Sequence, residues 1–321
     1  MKKIGIYLVL LLSIAHAQKY DNHWVFGYQC WQSGLNCSQV AFTNDSLKLT
    51  HRSLALSMSR TIACVSNPEG ELLFYTNGLG IANANNTILP NGSGLNPEGV
   101  ASQWLYGSPS IQGAMFLPHP TDSNLYYLIH GGADVKNGNY YFIPNLYYTL
   151  LEHSANYPNG NVIAKNQVIL SGQFEVGGIT ATKHGNGRDW WILLKSTDST
   201  VFHRFLLNPI GVSYEGSQNT HVGNPISQWQ TCFSPDGSKY AKYDCGKVQI
   251  YDFDRCTGLL SNFDSVNLAC DGAAGIAFSP NSKLLYISTG EHLYQYDVSQ
   301  NDLSNAGQLI AQYDSLVEVK M

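Results

Sequence analysis

Two stretches of this chain carry nearly the same text. FSPDGSKYAKYDCGKVQIYDFDRCTGLLSN begins at Phe233, and FSPNSKLLYISTGEHLYQYDVSQNDLSN begins at Phe278, 45 residues later. The pairs Tyr251-Asp252 and Tyr296-Asp297 are also 45 apart. The second copy reads as lacking one residue in its turn and regaining it before its Tyr-Asp pair. A fixed period makes each copy one supersecondary unit that buries its apolar face only against the next. A period near 45 with four short strand signals is the blade of a β-propeller.

The strand signals are explicit in both copies. In the second, GIAF, KLLYIST, HLYQYDVS and AGQLI are separated by the turns SPNS, GE and QNDLSN. In the first, TCF, KYAKYD, KVQIYDFD and RCTGLL are separated by SPDG, CG and a third break. Proline suits these turns because its ring fixes φ, and glycine because it tolerates φ above zero. Looser copies lie upstream, so turns near Pro68, Pro120, Gly187, Pro235 and Pro280 mark five blades. No stretch beyond residue 17 has useful helical periodicity. The expected fold is therefore all-β, a propeller of four-stranded blades, with five blades recognisable.

Closure constrains the ring further, because an unjoined propeller leaves a strand edge and an open core. The segments HWVFGYQCW (from His23) and QVAFT (from Gln39) can supply a strand pair. Three arrangements fit: a five- or six-bladed ring closed by the N-terminal strands, an irregular ring, or a truncated larger propeller of six to eight blades. The last is favoured, since the text after Ile310 stops in what reads as mid-blade.

The N-terminus reads as a secretory signal peptide. Lys2 and Lys3 precede an apolar run from Ile4 to Ile14 and then Ala15-His16-Ala17, an A-x-A site with cleavage after Ala17. That run is shorter than the roughly 20 apolar residues of a spanning helix. Residues 1–17 are thus assigned to the signal and 18–321 to the propeller, with no transmembrane segment after signal removal. A formal charge of −5 offers no basic footprint and makes nucleic acid a poor partner. Seven cysteines in an exported chain leave at least one thiol without an intramolecular partner. Cys30 and Cys37, flanking a turn-rich stretch, are the best disulfide candidates. Cys245, Cys256 and Cys270 could also pair, and the bland alternative is a buried free thiol.

Sequence motifs for catalysis are missing. There is no H-E-x-x-H, G-x-S-x-G, phosphate loop or EF-hand loop. No catalytic residue, metal or cofactor is therefore assigned. The stretch from Asp134, DVKNGNYY, reads as a hairpin rather than a calcium loop, having too few carboxylates. His119, His130 and His184 lie beside blade turns or at strand ends, where they read as backbone-bonded or solvated. Asp252, Asp254 and Asp297 recur with the repeat, which argues for a structural role in turns. Of Trp190 and Trp191, adjacent in one strand, at least one should face the core. Trp104, Tyr106 and Trp229 lie between blades and are the candidate ligand-contacting aromatics, able to stack on a sugar or anchor a protein.

Taken in order, NHWVFG, ACVSNPEGELLFYTNG, ILPNGSGL, QGAMFLPHP, LYYLIH, ITATKHGNGRDWWIL, FSPDGSKYA, VQIYDFDRCTGLLSN and GIAFSPNSKLLYIS carry a resemblance. Together they resemble the WD-repeat-like propeller region at the N-terminus of secreted Bacteroidota surface proteins. Such proteins are exported by the type IX secretion system, and some are gliding-motility-associated. The match runs from about Trp24 to Tyr296. Members usually continue into further blades, adhesive modules and a C-terminal sorting domain, none of which this sequence contains. The resemblance implies export to the cell surface and brings no catalytic residues with it. The expected function is a non-catalytic binding or scaffold module for protein or glycan partners. The alternative is a secreted hydrolase or lyase with its site at the channel mouth.

Overall fold

The computed structural model describes residues 19–27, 37–43, 46–97, 103–104, 106–136, 140–197, 200–220, 230–244, 246–268, 275–300 and 302–312. These residues form six antiparallel sheets, the blades of a β-propeller, and contain no α-helix. Blade 1 consists of β1 (His23–Phe26), β2 (Cys37–Phe42) and β3 (Leu47–Arg52). It is the strand pair expected from the N-terminal text, with Trp24 opposite Val40 and a third strand added. Blade 2 runs β4 (Ala63–Ser66), β5 (Leu72–Thr76), β6 (Gly80–Asn83) and β7 (Ile88–Ser93).

Blade 3 begins with β8 (Ala114–Pro118) and β9 (Leu125–His130). A short β10 (Asp134–Lys136) then pairs with β11 (Tyr140–Ser154), so the stretch from Asp134 is a hairpin. β12 (Tyr157–Phe174) completes the blade, and with β11 forms a long ribbon. Lys165 and Asn166 on β12 donate to Ser93 O and Gly94 O, tying the ribbon to blade 2.

Blades 4 to 6 are regular. Blade 4 is β13 (Thr180–Lys183), β14 (Trp190–Lys195), β15 (Val201–Asn208) and β16 (Gly211–Asn219). Blade 5 is β17 (Thr231–Phe233), β18 (Lys239–Asp244), β19 (Lys247–Asp254) and β20 (Leu259–Asn267). Blade 6 is β21 (Gly275–Phe278), β22 (Leu284–Ser288), β23 (His292–Asp297) and β24 (Gly307–Gln312). The core lies between blades. Ala241, Val248 and Ile250 of blade 5 pack on Ile276, Leu285 and Ile287 of blade 6. Trp191 is buried with Tyr240, Tyr251 and Phe253, as expected for one member of its pair.

The doubled text corresponds to blades 5 and 6, and its alignment needs a correction. Ser234 N donates to Lys239 O and Ser279 N to Leu284 O, so the offset stays at 45 through the turn. No residue is lacking. Gly237 (φ +71°) is matched by Ser282 (φ +61°), a serine in the left-handed region that only glycine adopts freely. The equivalent turns upstream start at Asn67, His119 and His184. In each the first side chain accepts a backbone N–H: Asn67 Oδ1 from Glu71, His119 Nδ1 from Asp122, and His184 Nδ1 from Asn186. His119 and His184 are therefore turn residues standing where blades 5 and 6 use serine.

Candidate functional site

Antiparallel order gives the propeller two unlike ends. One end, the turn face, carries the tight turns between first and second strands. The other, the loop face, carries the connections into each first strand and the turns after each second strand. Four second strands end at the loop face in a buried polar residue: Thr76, His130, Lys195 and Asp244. An apolar strand closing on a buried polar group requires a partner for that group.

Each finds a different solution. Thr76 Oγ1 donates to Gly80 O and accepts from Gly78 N, closing its own turn. His130 is enclosed, with Nδ1 at 2.7 Å from Asn96 Oδ1 and Nε2 at 2.9 Å from Thr149 Oγ1. Burial lowers its pKa to about 3, so the ring is neutral. Lys195 and Asp244 belong to a charge cluster spanning three blades. Glu175, on the connection from blade 3 to blade 4, is ion-paired with Lys242 of blade 5 and lies 3.6 Å from Lys195 Nζ. Lys242 also reaches Asp244 at 3.1 Å.

The two ammonium groups in this cluster differ. Burial opposes the charge on Lys242, but Glu175 and Asp244 outweigh it and hold its pKa above the ordinary lysine value. Lys195 goes the other way, lowered first by burial and then by the nearby Lys242 charge. Among the described residues its Nζ has no hydrogen-bond partner, and neither amide atom of the fully buried Gln249 has one. Two cations face two carboxylates, so the cluster is balanced in charge, with Lys195, Lys242 and Asp244 buried and Glu175 partly so.

A connecting segment ties this face together. Gly107–Gly113 lies on the path from blade 2 to blade 3 and is largely buried. Ser108 N donates to Asn77 O, and Thr61 donates to Ser108 O and Ser110 O. Gly178 N donates to Ile111 O and Gly131 N to Gly113 O. Gln112 reaches past blade 4 to blade 5, where its Nε2 donates to Thr231 O at 2.9 Å and its Oε1 accepts from Thr231 N at 2.8 Å. One short segment thus cross-links blades 2, 3, 4 and 5.

Trp104 and Tyr106 immediately precede this segment and are half-buried. Trp229 lies outside the described residues, on the connection into blade 5. Cys37 is buried and disulfide-bonded, and Cys30 lies outside the described residues. Cys256 is a free, exposed thiol, which corrects its candidacy for a disulfide, while Cys245 and Cys270 lie outside the described residues. Cys64 and Cys232 are free thiols pushed up to about 12 by burial.

The repeated aspartates act locally but not identically. Asp254 accepts from Cys256 N and Thr257 Oγ1, and Asp297 from Ser299 N, both closing turns. Asp252 instead pairs with Lys239 and Asn262 side chains. Among the described residues, no group of three or more His, Cys, Asp or Glu is placed to hold a metal, and no helix is long and apolar enough to cross a membrane.

No family model matches the chain, and no curated protein matches it in sequence. Solved structures match it in fold. One is a protein of unknown function from Desulfotomaculum acetoxidans, 14% identical, covering 87% of this chain and 83% of its own, with TM-score 0.51. Another is the periplasmic gluconolactonase of Pseudomonas aeruginosa, 13% identical, covering 91% of this chain and 81% of its own, with TM-score 0.52. At these identities the likeness is one of architecture.

Proposed function

We propose that this chain is an exported propeller that binds a protein or glycan partner through its loop face, without catalysis. The observation that carries the reading is the cross-linking of blades 2 to 5 by Gly107–Gly113. Such bonds fix the inner part of the face and leave the adjoining aromatics Trp104 and Tyr106 as contacting groups on a rigid frame; Trp229, outside the described residues, remains a candidate contact from the sequence alone. The balanced, buried charge cluster supports the same reading, because its groups are engaged with one another rather than presented to a substrate. The Cys37 disulfide supports an oxidising compartment, as does the N-terminal signal-like text. Pairing of Cys37 with Cys30, display at the cell surface and export by the type IX route belong to this proposal. The test is to screen the purified chain on immobilised glycans and on outer-membrane protein fractions. Binding should weaken in Trp104→Ala and Tyr106→Ala.

A second reading is a hydrolase or lyase. One observation favours it: Lys195 has a lowered pKa beside Glu175, and perturbed titratable groups cluster at active sites. Turnover of a polysaccharide or peptide that is abolished by Lys195→Met would establish this reading over the first.

A further inference from the structure

A crevice of about 210 Å³ opens on the turn face between blades 5 and 6, remote from the loop-face residues. Its walls come from the two copies of the repeat, set side by side. Lys239, Asp252, Asn262 and Asp264 line it from blade 5, and Gln300 from the third turn of blade 6. Ile250 and Val298 also border it, each almost fully buried.

The blade 5 wall departs from regular sheet geometry. Pairing of β19 with β20 skips between Ile250 and Asp252: Ile250 is opposite Asp264, but Asp252 is opposite Ser261. The extra residue on β20 makes a bulge, and Asn262 within it has φ +48°. Bulges re-aim side chains, and a non-glycine residue held in the left-handed region is a pointer to function. Here the distortion brings Asn262 Nδ2 to 2.8 Å from Asp252 Oδ2, while Lys239 Nζ holds Oδ1 at 2.8 Å. Asp264 Oδ2 accepts from Leu303 N at 3.1 Å, which locks the two blades together at the crevice. Blade 6 carries its own register shift, between Leu293 and Tyr294, but not this set of polar groups: Leu284 replaces Lys239 and Asp297 closes a turn.

We infer that this crevice is a subsite for one neutral, polyhydroxylated ring, a single sugar unit. The walls alternate donors and acceptors. Lys239 and Asn262 present an ammonium and an amide carbonyl, Asp252 and Asp264 retain carboxylate lone pairs, and Gln300 adds an amide. A hydroxyl can donate to a carboxylate while accepting from an ammonium, so adjacent hydroxyls use both sets at once. The volume equals about seven waters of liquid, which one ring fills and a chain of rings exceeds. An anion meets two carboxylates against one lysine, and a bare cation meets Lys239 already paired with Asp252. The inference does not depend on the loop-face reading.

The test is saturation-transfer NMR and calorimetry of the full chain with glucose, galactose, mannose and N-acetylglucosamine, with calcium chloride and inorganic phosphate as controls. At least one sugar should bind at millimolar concentration and saturate. Asn262→Gly keeps the backbone conformation and removes the amide, and Gln300→Trp fills the mouth. Each should weaken binding about tenfold or more while leaving the melting temperature within a few degrees. No binding by any of the four sugars overturns the inference. So does sugar binding that survives both variants, or a crevice that takes calcium or phosphate in preference.

Discussion

His130 Nδ1 lies 2.7 Å from Asn96 Oδ1, and the surrounding bonds fix which atom holds the proton. Asn96 Nδ2 donates to Gly78 O, so Oδ1 is the acceptor and His130 Nδ1 carries hydrogen. Thr149 Oγ1 accepts from Asn166 N and donates to His130 Nε2. The ring is thus built in as one neutral tautomer, joining the loop before blade 3 to strands of that blade.

That arrangement predicts a pH dependence of stability. The folded pKa is about 3, against an ordinary value of 6.5 in the unfolded chain. Below 6.5 the unfolded state takes up a proton that the folded state refuses. The stabilisation is therefore complete above 6.5 and is lost as pH falls toward 3. The loss is on the order of 4 kcal/mol, with a slope near 1.4 kcal/mol per pH unit. Urea unfolding between pH 7 and 4 should show this slope in the natural chain. In His130→Gln the slope should fall by one proton's worth, whatever the absolute stability.

The charge cluster predicts unequal outcomes for two neutralising changes. Glu175→Gln leaves Lys242, whose side chain is 2% exposed, without its main counter-charge, and should cost about 3–5 kcal/mol. Lys195→Met removes an ammonium whose charge burial and Lys242 already disfavour, but it leaves Glu175 and Asp244 to share Lys242 alone, and should cost less, about 1–2 kcal/mol. Chemical denaturation of both variants measures this directly. A large loss of stability in Lys195→Met would show that its ammonium is indispensable to the interior.

Ser282 and Gly237 predict a second contrasting pair. Ser282→Gly releases a left-handed serine but removes the bond its Oγ accepts from Asp236 N at 3.1 Å, so the two effects offset and stability should change by less than about 0.5 kcal/mol. Gly237→Ala strains the backbone at φ +71° and places Cβ 2.4 Å from Thr182 Oγ1, so a loss of about 2 kcal/mol is expected. A nearly unmoved urea midpoint in Ser282→Gly beside a clear drop in Gly237→Ala is the readout.

These turns also explain what the sequence discloses. TCF, KYAKYD, KVQIYDFD and GIAF are strands to the residue, because alternation and turn chemistry are local. The long ribbon of β11 and β12 is not legible in the same way. Its pairing shifts register five times, and each bulge breaks the alternation that marks a strand. The charge cluster is invisible for another reason: Glu175, Lys195, Lys242 and Asp244 meet only when three blades stack. A signal did exist in LLFYT, LYYLIH and WWILLK, apolar runs that each end in a polar residue, and more faintly in KYAKYD, where charged and apolar residues alternate irregularly before a final Asp. A strand that buries its last polar side chain announces a partner elsewhere in the chain.

The most demanding prediction concerns Gly177 and Gln112. A Cβ at Gly177 would stand 1.9 Å from Ile111 O, a backbone atom, at a φ of +106°. Gly177→Ala must therefore push the cross-linking segment off the entry to blade 4, at a cost of about 2–4 kcal/mol. Gln112→Ala removes all three side-chain bonds to Thr231 without any clash, and should cost about 1–3 kcal/mol. Hydrogen exchange separates local from global effects. In Gln112→Ala, protection should drop at Thr231 and along Gly107–Gly113, while Ala241 and Val248 in the blade 5 core keep theirs. If the loop face is a rigid binding frame, partner affinity should fall in Gln112→Ala even though no contacting aromatic has changed.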